Sequence, residues 1–497
     1  MATLLRGEAP APSLSGEKPV DSASVIFPES PMDPTIDPSN TIRIMINYGP
    51  GFGHQTAAIT LMRKLRALGF TGLFDVRYMG ENVVGHKLET LFVGFNMTSA
   101  NSGVEMLSSM VGRIKITKYS KDNLPQVYLT MTPAYDEFRG INPAYYHCEG
   151  YVILQPTDWL RPRIIALLAD RGEEVERVHM PMDARLSAES LPPIDSTVVS
   201  SPIESKIIAL CKNTACDSQL LYCFGHPDIA KSWCASAEDT SAAYHERILR
   251  ELIRAHRKIQ SSVTYEGMKR KILFLPQSTH DLQVFKKIAD PEENIYFFDL
   301  SEGETPNVEA LSTNAIILVH TGKLNPQLFA HLMIGLTNFP PVIEGCNARE
   351  ACEHRGWPFI HGGAKELDDN GLKLYSLPDA YLASQELHQR ASRCLMQAYE
   401  PGDERALKEY MQQCLVRDPT LMAYHQARQA AFLARPDIVD LAITVLREKG
   451  SENIKRLISS FMPVPSVAAE TSPPALALAF SGATSGACVA VSAAPGS

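Results

Sequence analysis

The sequence predicts an α/β chain with two parallel sheets, each covered by helices on both faces. Three observations carry this. Short apolar runs alternate with helix-period segments from Ile42 to Glu344, the pattern of a parallel sheet buried on both sides. A stretch from Leu186 to Ile203 carries Pro192, Pro193 and Pro202 among serines and splits the alternation into two sets. The chain has 497 residues, too many for one domain.

The elements follow in order. Residues 1–40 are rich in Pro, Ser and Ala without periodicity and read as disordered. Residues 41–190 read as a first sheet domain with strands at Ile42–Asn47, Leu73–Met79, Gln126–Thr132 and Gly150–Gln155, and a last one near Arg177–Pro181. The weakly patterned stretch 82–122 reads as helices and loops. Residues 191–205 read as a linker. The second sheet domain, 206–375, has strands at Leu220–Gly225, Lys271–Pro276, Asn294–Leu300, Asn314–His320 and Pro341–Glu344. Helices at Ala243–Ser261, Asp281–Ile288 and Pro326–Leu336 lie between them. Residues 376–462 read as helical, and 463–497, rich in Pro, Ala and Ser, as a second disordered tail.

Composition narrows the function. A net charge of −9 argues against nucleic acid as the main partner. The ten cysteines form no Cys-x-x-Cys pair and read as reduced thiols of a cytoplasmic protein. No apolar run reaches the roughly 18 residues of a membrane span. The N-terminus lacks the apolar core of a signal peptide. A long disordered N-terminus also suits export by a specialised bacterial secretion system.

The most informative segment runs from Asn47 through Gly49, Gly51, Gly53, His54 and Gln55 to Ala58. It joins a buried strand to a helix. Glycines let a backbone approach a ligand, and a helix start offers unpaired N–H groups. A dinucleotide turn needs G-x-G-x-x-G and an acid roughly 20 residues on. Gly49 and Gly51 fit, but the third position is His54, and Glu81 lies past the end of the next strand. The Gly51-Phe52-Gly53-His54 turn resembles instead the N-terminal loop of GT-B glycosyltransferases, such as the bacterial lipid-linked N-acetylglucosaminyl transferases.

The second domain supports that resemblance. The strand Ile316–Val319 runs into His320-Thr321-Gly322, and Asn325-Pro326 suits an N-cap and first helical turn. GT-B transferases hold a donor diphosphate at such a turn. The resemblance thus implies two Rossmann-like domains facing across a cleft. It also implies a nucleotide-diphosphate sugar as co-substrate, an unidentified acceptor (protein, glycan or lipid-linked), and no further cofactor. No Asp-x-Asp occurs in the chain, so a metal-independent transfer with no metal ligand is expected, the helix N-terminus at 325 neutralising the leaving group. Donor contacts are expected from His226, Gln277, Ser278, His320, Thr321, Gly322, Asn325, Glu344, Asn347 and Glu350. Gly51, Gly53 and Gln55 would form the acceptor-side loop, with His54 as first candidate base and Asp158 as second. The alternatives are a nucleotide-sugar epimerase of the same fold, a nicotinamide enzyme, and a non-catalytic nucleotide-binding protein exported as a bacterial effector.

Overall fold

The computed structural model describes residues 36–46, 53–79, 85, 88–89, 91–92, 95–96, 103–108, 110–121, 124–133, 142–154, 163–168, 175–181, 184–186, 199, 201–222, 241–262, 268–276, 282–322, 324–343, 346–362, 375–396 and 404–461. The fold is α/β with two sheets, both dominated by parallel pairs.

The first sheet holds β1 (Thr41–Ile46), β2 (Leu73–Tyr78), β3 (Val104–Ser108), β4 (Gly112–Lys118), β5 (Leu129–Thr132), β6 (Gly150–Ile153), β7 (Arg163–Leu168) and β8 (Val175–Met180) in the order β3-β4-β2-β1-β5-β6-β7-β8. Every residue of β1 and β2 is buried, which is why both are rich in apolar residues. Even the charges there are internal: Arg43 donates to Asp75 at 2.8 Å, and parallel register sets the two residues side by side. Helix α1 (Gly53–Ala67) buries Ala58, Leu61, Met62 and Leu65 at helical spacing against this sheet. It stops at Gly69, whose φ of +100° suits glycine after a helix end.

The second half opens with α2 (Pro202–Lys212) and continues through β9 (Cys216–Tyr222), α3 (Ser241–Gln260), β10 (Arg270–Pro276), α4 (Leu282–Ile288), β11 (Ile295–Asp299) and β12 (Ile316–Gly322). Then come α5 (Pro326–His331), a π-helical turn (Leu332–Leu336), β13 (Val342–Ile343), α6 (Cys346–His354) and β14 (Ile360–His361). The six strands lie in the order β11-β12-β10-β9-β13-β14, all parallel. Helices α7 (Leu382–Met396), α8 (Glu404–Leu415), α9 (Pro419–Leu433), α10 (Ile438–Lys449) and α11 (Glu452–Ser459) complete the chain.

Topology fixes where a ligand can sit. Helices α3 and α4, which follow β9 and β10, share a core with Leu273, Leu275 and Leu318 on one face of the second sheet. Helices α5 and α6, which follow β12 and β13, share a core with Ile272, Phe274 and Val319 on the other. The connections leaving the neighbours β10 and β12 therefore diverge to opposite faces. Ligands of open α/β sheets bind outside the carboxyl ends of strands at such a switch point. The first sheet has its own between β1 and β5, since α1 packs on one face while Tyr146 and Cys148, beyond β5, pack on the other.

Three expectations need correction. The stretch 82–122 contains the β3–β4 hairpin rather than only helices and loops. The expected linker 191–205 already holds the first residues of α2, because Ser201 and Glu204 form a capping box around Pro202. The final helices are no separate layer: Ile438, Ala442, Leu446, Ile454 and Ile458 join the core of the first sheet.

Candidate functional site

The site is built at the carboxyl edge of β11 and β12. Parallel register places Asp299, the last residue of β11, beside His320. The His320 Nδ1 lies 2.9 Å from Asp299 Oδ1. The same oxygen accepts from the Ser301 backbone N–H at 3.0 Å and the Ser301 hydroxyl at 2.5 Å. Burial pushes the Asp299 carboxyl up, but the bonds from Ser301 and His320 outweigh it and its net direction is down. An ionised Asp299 fixes the ring with Nδ1–H toward it and Nε2 pointing away. That Nε2 is buried and has no hydrogen-bond partner. His320 stands on β12 at the β10/β12 switch point, so the imidazole is oriented at the place where topology admits a ligand.

The turn that follows is shaped for close approach. Gly322 has φ +67°, and a Cβ there would lie 3.2 Å from the Ser301 side chain. The turns after β11 and β12 thus pack on each other with no room for a side chain. Thr321 is buried, and its hydroxyl donates to the Gly322 carbonyl at 3.1 Å; it holds the turn rather than offering a free hydroxyl.

The helix start beyond the turn differs from expectation. Asn325 does cap α5, its side chain accepting from Gln327 N at 2.8 Å. But the Asn325 N–H donates to Glu204 Oε1 at 3.0 Å, and Pro326 has no N–H. The other oxygen of Glu204 accepts from Ser201 N at 3.1 Å. A buried carboxylate from α2 therefore occupies the dipole end that was expected to receive the diphosphate, and α5 is only six residues long. An anion at this edge would meet the imidazole and the turn at 321–324, not the helix start.

Two further expected residues stand in α6. Glu350 is only 8% exposed. Burial pushes its carboxyl up to about 8, with Glu353 adding and Arg349, Arg163 and Arg435 opposing. It is therefore not a surface acid. Arg163 belongs to β7, so Glu350 lies where the two halves of the chain meet. Asn347 lies in the first turn of the same helix.

On the first sheet, His54 is partly buried in the first turn of α1, beside the β1/β5 switch point. Gly53 begins that helix. Gln55 is fully buried, so it faces the interior and not an open acceptor loop. Gly51, Asp158, His226, Gln277, Ser278 and Glu344 lie outside the described residues.

Sequence reasoning missed Asp299 and Glu204. The signal for Asp299 was a carboxylate ending the apolar run Ile295–Phe298 one strand before His320. For Glu204 it was the Ser-x-x-Glu spacing from Ser201.

No protein-family model matches the sequence. No curated protein matches it either. Among solved structures, the crystal structure of the glycosyltransferase VinC in complex with DTDP matches 84% of this chain and 100% of its own, at 9% identity and a TM-score of 0.33. The alpha-glucosyltransferase AGT in complex with UDP matches 82% of this chain and 99% of its own, at 8% identity and a TM-score of 0.33. Similarity at that level carries no argument, and the functional reading rests on the residues above.

Proposed function

We propose that the chain is a metal-independent glycosyltransferase that moves a sugar from a nucleotide-diphosphate sugar to an acceptor. The carrying observation is the Asp299–His320 pair at the β10/β12 switch point, with Nε2 unpartnered. An imidazole fixed by a carboxylate and aimed at a strand's carboxyl end is suited to an anionic oxygen. The Gly322 turn beside it allows backbone N–H groups to approach the same anion.

The donor diphosphate would lie against His320 and residues 321–324. The acceptor hydroxyl or amine would give its proton to His54 as its heteroatom bonds to the anomeric carbon. The bond from that carbon to the diphosphate oxygen breaks in the same step. The leaving diphosphate takes the electron pair, and its charge is met by the His320 imidazole and by the turn. Glu350, mostly protonated at neutral pH, would be a hydrogen-bond donor to a donor hydroxyl rather than a charged acceptor.

Calorimetric titration with a panel of nucleotide diphosphates tests this. Saturable binding is expected. In His320→Ala it should weaken by about 10–100-fold, the loss of one charged hydrogen bond. Unchanged affinity in that variant removes the site. Turnover in excess chelator should equal turnover without it; loss restored by magnesium or manganese rules out the metal-independent form. An epimerase would release no nucleotide diphosphate on adding acceptor, and a pure binding protein would turn over nothing.

A further inference from the structure

A second concave site lies at the opposite edge of the second sheet. A cavity of about 150 Å³ opens between the segment before β13, the segment before β14 and the turn joining α8 to α9. Its position at the amino-terminal edge is set by Asn338, whose side-chain oxygen accepts from Ser218 N at 3.0 Å and Ser218 Oγ at 3.3 Å, early in β9. The volume is about that which takes up a benzene ring. Leu336, Pro340, Trp357, Pro358, Leu415 and Met422 contribute apolar side chains to walls that are otherwise polar.

Its polar side chains include Arg417, Asn338 and Thr337. The Arg417 guanidinium stands 5.6 Å from the Trp357 ring centroid and makes no ion pair or hydrogen bond among the described residues. The Asn338 oxygen is engaged with Ser218, which leaves its NH₂ as the free end. The Trp357 indole N–H is buried without an acceptor, which buried donors rarely lack. No Asp or Glu lines the cavity. An exposed guanidinium and an exposed amide therefore stand at the cavity with no acid to answer them.

The backbone makes the arginine harder to account for as structure. Arg417 has φ +53°, just past the end of α8. That conformation favours glycine or asparagine, and a Cβ there is strained. The chain thus holds a long cationic side chain where the backbone favours none. The cavity wall also includes Gly335 at φ +141°, in the π-helical turn that directly continues α5. This turn links the cavity to the helix that begins at the candidate donor turn.

We infer that this cavity is a binding site for a small organic anion, a carboxylate carried on a ring-sized apolar body. The planar fork of Arg417 matches a carboxylate at the mouth. Asn338 supplies a neutral donor, and the apolar side chains of the wall take the ring. The site is independent of the transferase reading and is tested without turnover.

The full-length protein is titrated with benzoate, with benzyl alcohol as neutral isostere and inorganic phosphate as bare anion. Thermal midpoint and tryptophan fluorescence are followed. Benzoate should raise the midpoint saturably and change the emission, while the other two probes do neither. Arg417→Gly should weaken benzoate at least tenfold, yet unfold at or above the wild-type midpoint without probe, because glycine suits φ +53°. Met422→Trp, which fills the cavity and keeps the arginine, should abolish the response. Trp357→Phe should remove the emission change. Absence of a saturable benzoate response overturns the proposal, and so does equal benzoate affinity in Arg417→Gly or Met422→Trp. An equal response to phosphate overturns the apolar body.

Discussion

His320 and the histidines under the carboxy-terminal helices are all buried, but their partners differ in kind. His320 is held by a carboxylate at the end of a strand. His388 and His425 are held by phenols: His388 Nδ1 lies 3.1 Å from the Tyr424 hydroxyl, and His425 Nε2 lies 3.0 Å from that of Tyr410. His388 also stacks on Tyr410 with ring centroids 5.1 Å apart. Beside them Arg428 donates to Tyr424 and to Glu353. Burial drives His388 and His425 well below the usual imidazole range, and Arg428 adds to it. A second proton on those rings would meet a guanidinium, so they are built to remain neutral. An orphan ring nitrogen does not by itself separate the two kinds, since His256, His354 and His388 have one as well. The separating features are the carboxylate partner and the place at a switch point. A histidine with an ionic partner at a strand's carboxyl end is arranged for a ligand; one with phenolic partners among helices is arranged for packing.

A third histidine sharpens that contrast most. His54 sits at the other switch point and is the proposed base. His54→Ala should lower kcat by about 10²–10⁴-fold and leave nucleotide-sugar affinity within a few-fold, since it acts only as the acceptor proton leaves. It should also remove the acidic limb of the pH–rate profile. A variant within tenfold of wild type would move the base role to a carboxylate such as Asp158.

The packing histidines predict the reverse pattern. Glu353 accepts from Arg428 and from the Tyr375 hydroxyl at 2.9 Å, and it is 2% exposed. Glu353→Ala leaves a buried guanidinium without its carboxylate, which costs about 3–5 kcal/mol. Urea unfolding should show that loss, while the protein that remains folded binds nucleotide diphosphates as wild type does. Weakened binding with intact stability would erase the distinction between the two regions.

Acid should separate the regions next. His388, His425, His354 (down to about 4) and His361 (down to about 3) are all lowered, in each case chiefly by burial. A lowered imidazole is neutral when folded and takes a proton when unfolded below about pH 6.5. Its contribution is complete above 6.5 and is lost as pH falls toward the folded value. Each such ring gives a slope approaching about 1.4 kcal/mol per pH unit. Glu350 has the opposite sign. Its raised folded value, about 8, means stability is lost as pH rises from about 4.5 to 8. Urea stability should therefore fall between pH 6.5 and 5, these four rings and the likewise lowered His256 outweighing one acid. Glu350→Gln should steepen that fall and raise stability at pH 8. A flat profile would mean that these imidazoles are hydrated in solution.

Much of the fold was legible because buried parallel strands leave long apolar runs. β1, β2, β10 and β11 and helices α3 and α4 stand within a few residues of their sequence-based positions. What failed had weaker or non-local signals. The β3 strand alternates partly buried and exposed residues over five positions, too short to stand out beside β1, and β4 carries Arg113, Lys115 and Lys118 among its apolar residues. The prolines before α2 hid a capping box, since Pro202 sits at the first helical turn and does not break the helix. At the site, His320 and the Gly322 turn could be read from a strand-then-glycine pattern. The Asp299 contact could not, because it depends on β11 lying beside β12, and strand order is not written in either strand. The return of α10 and α11 to the first sheet is invisible for the same reason.

The smallest effect tests the helix start at 325, where the sequence-based reading and the structure part. Asn325→Ala removes the side-chain acceptor of Gln327 N–H and should cost about 1 kcal/mol. It leaves the backbone N–H that donates to Glu204. If His320 and the turn carry the diphosphate, nucleotide affinity in this variant should stay within threefold of wild type. The Glu204 carboxylate already occupies the dipole end, and a second anion there would be repelled. Glu204→Gln removes that charge and keeps an acceptor for one of the two N–H groups. It should leave donor affinity unchanged or slightly higher. A tenfold loss in Asn325→Ala with a normal unfolding midpoint would show instead that the helix start binds the donor, and that Glu204 leaves it when nucleotide arrives.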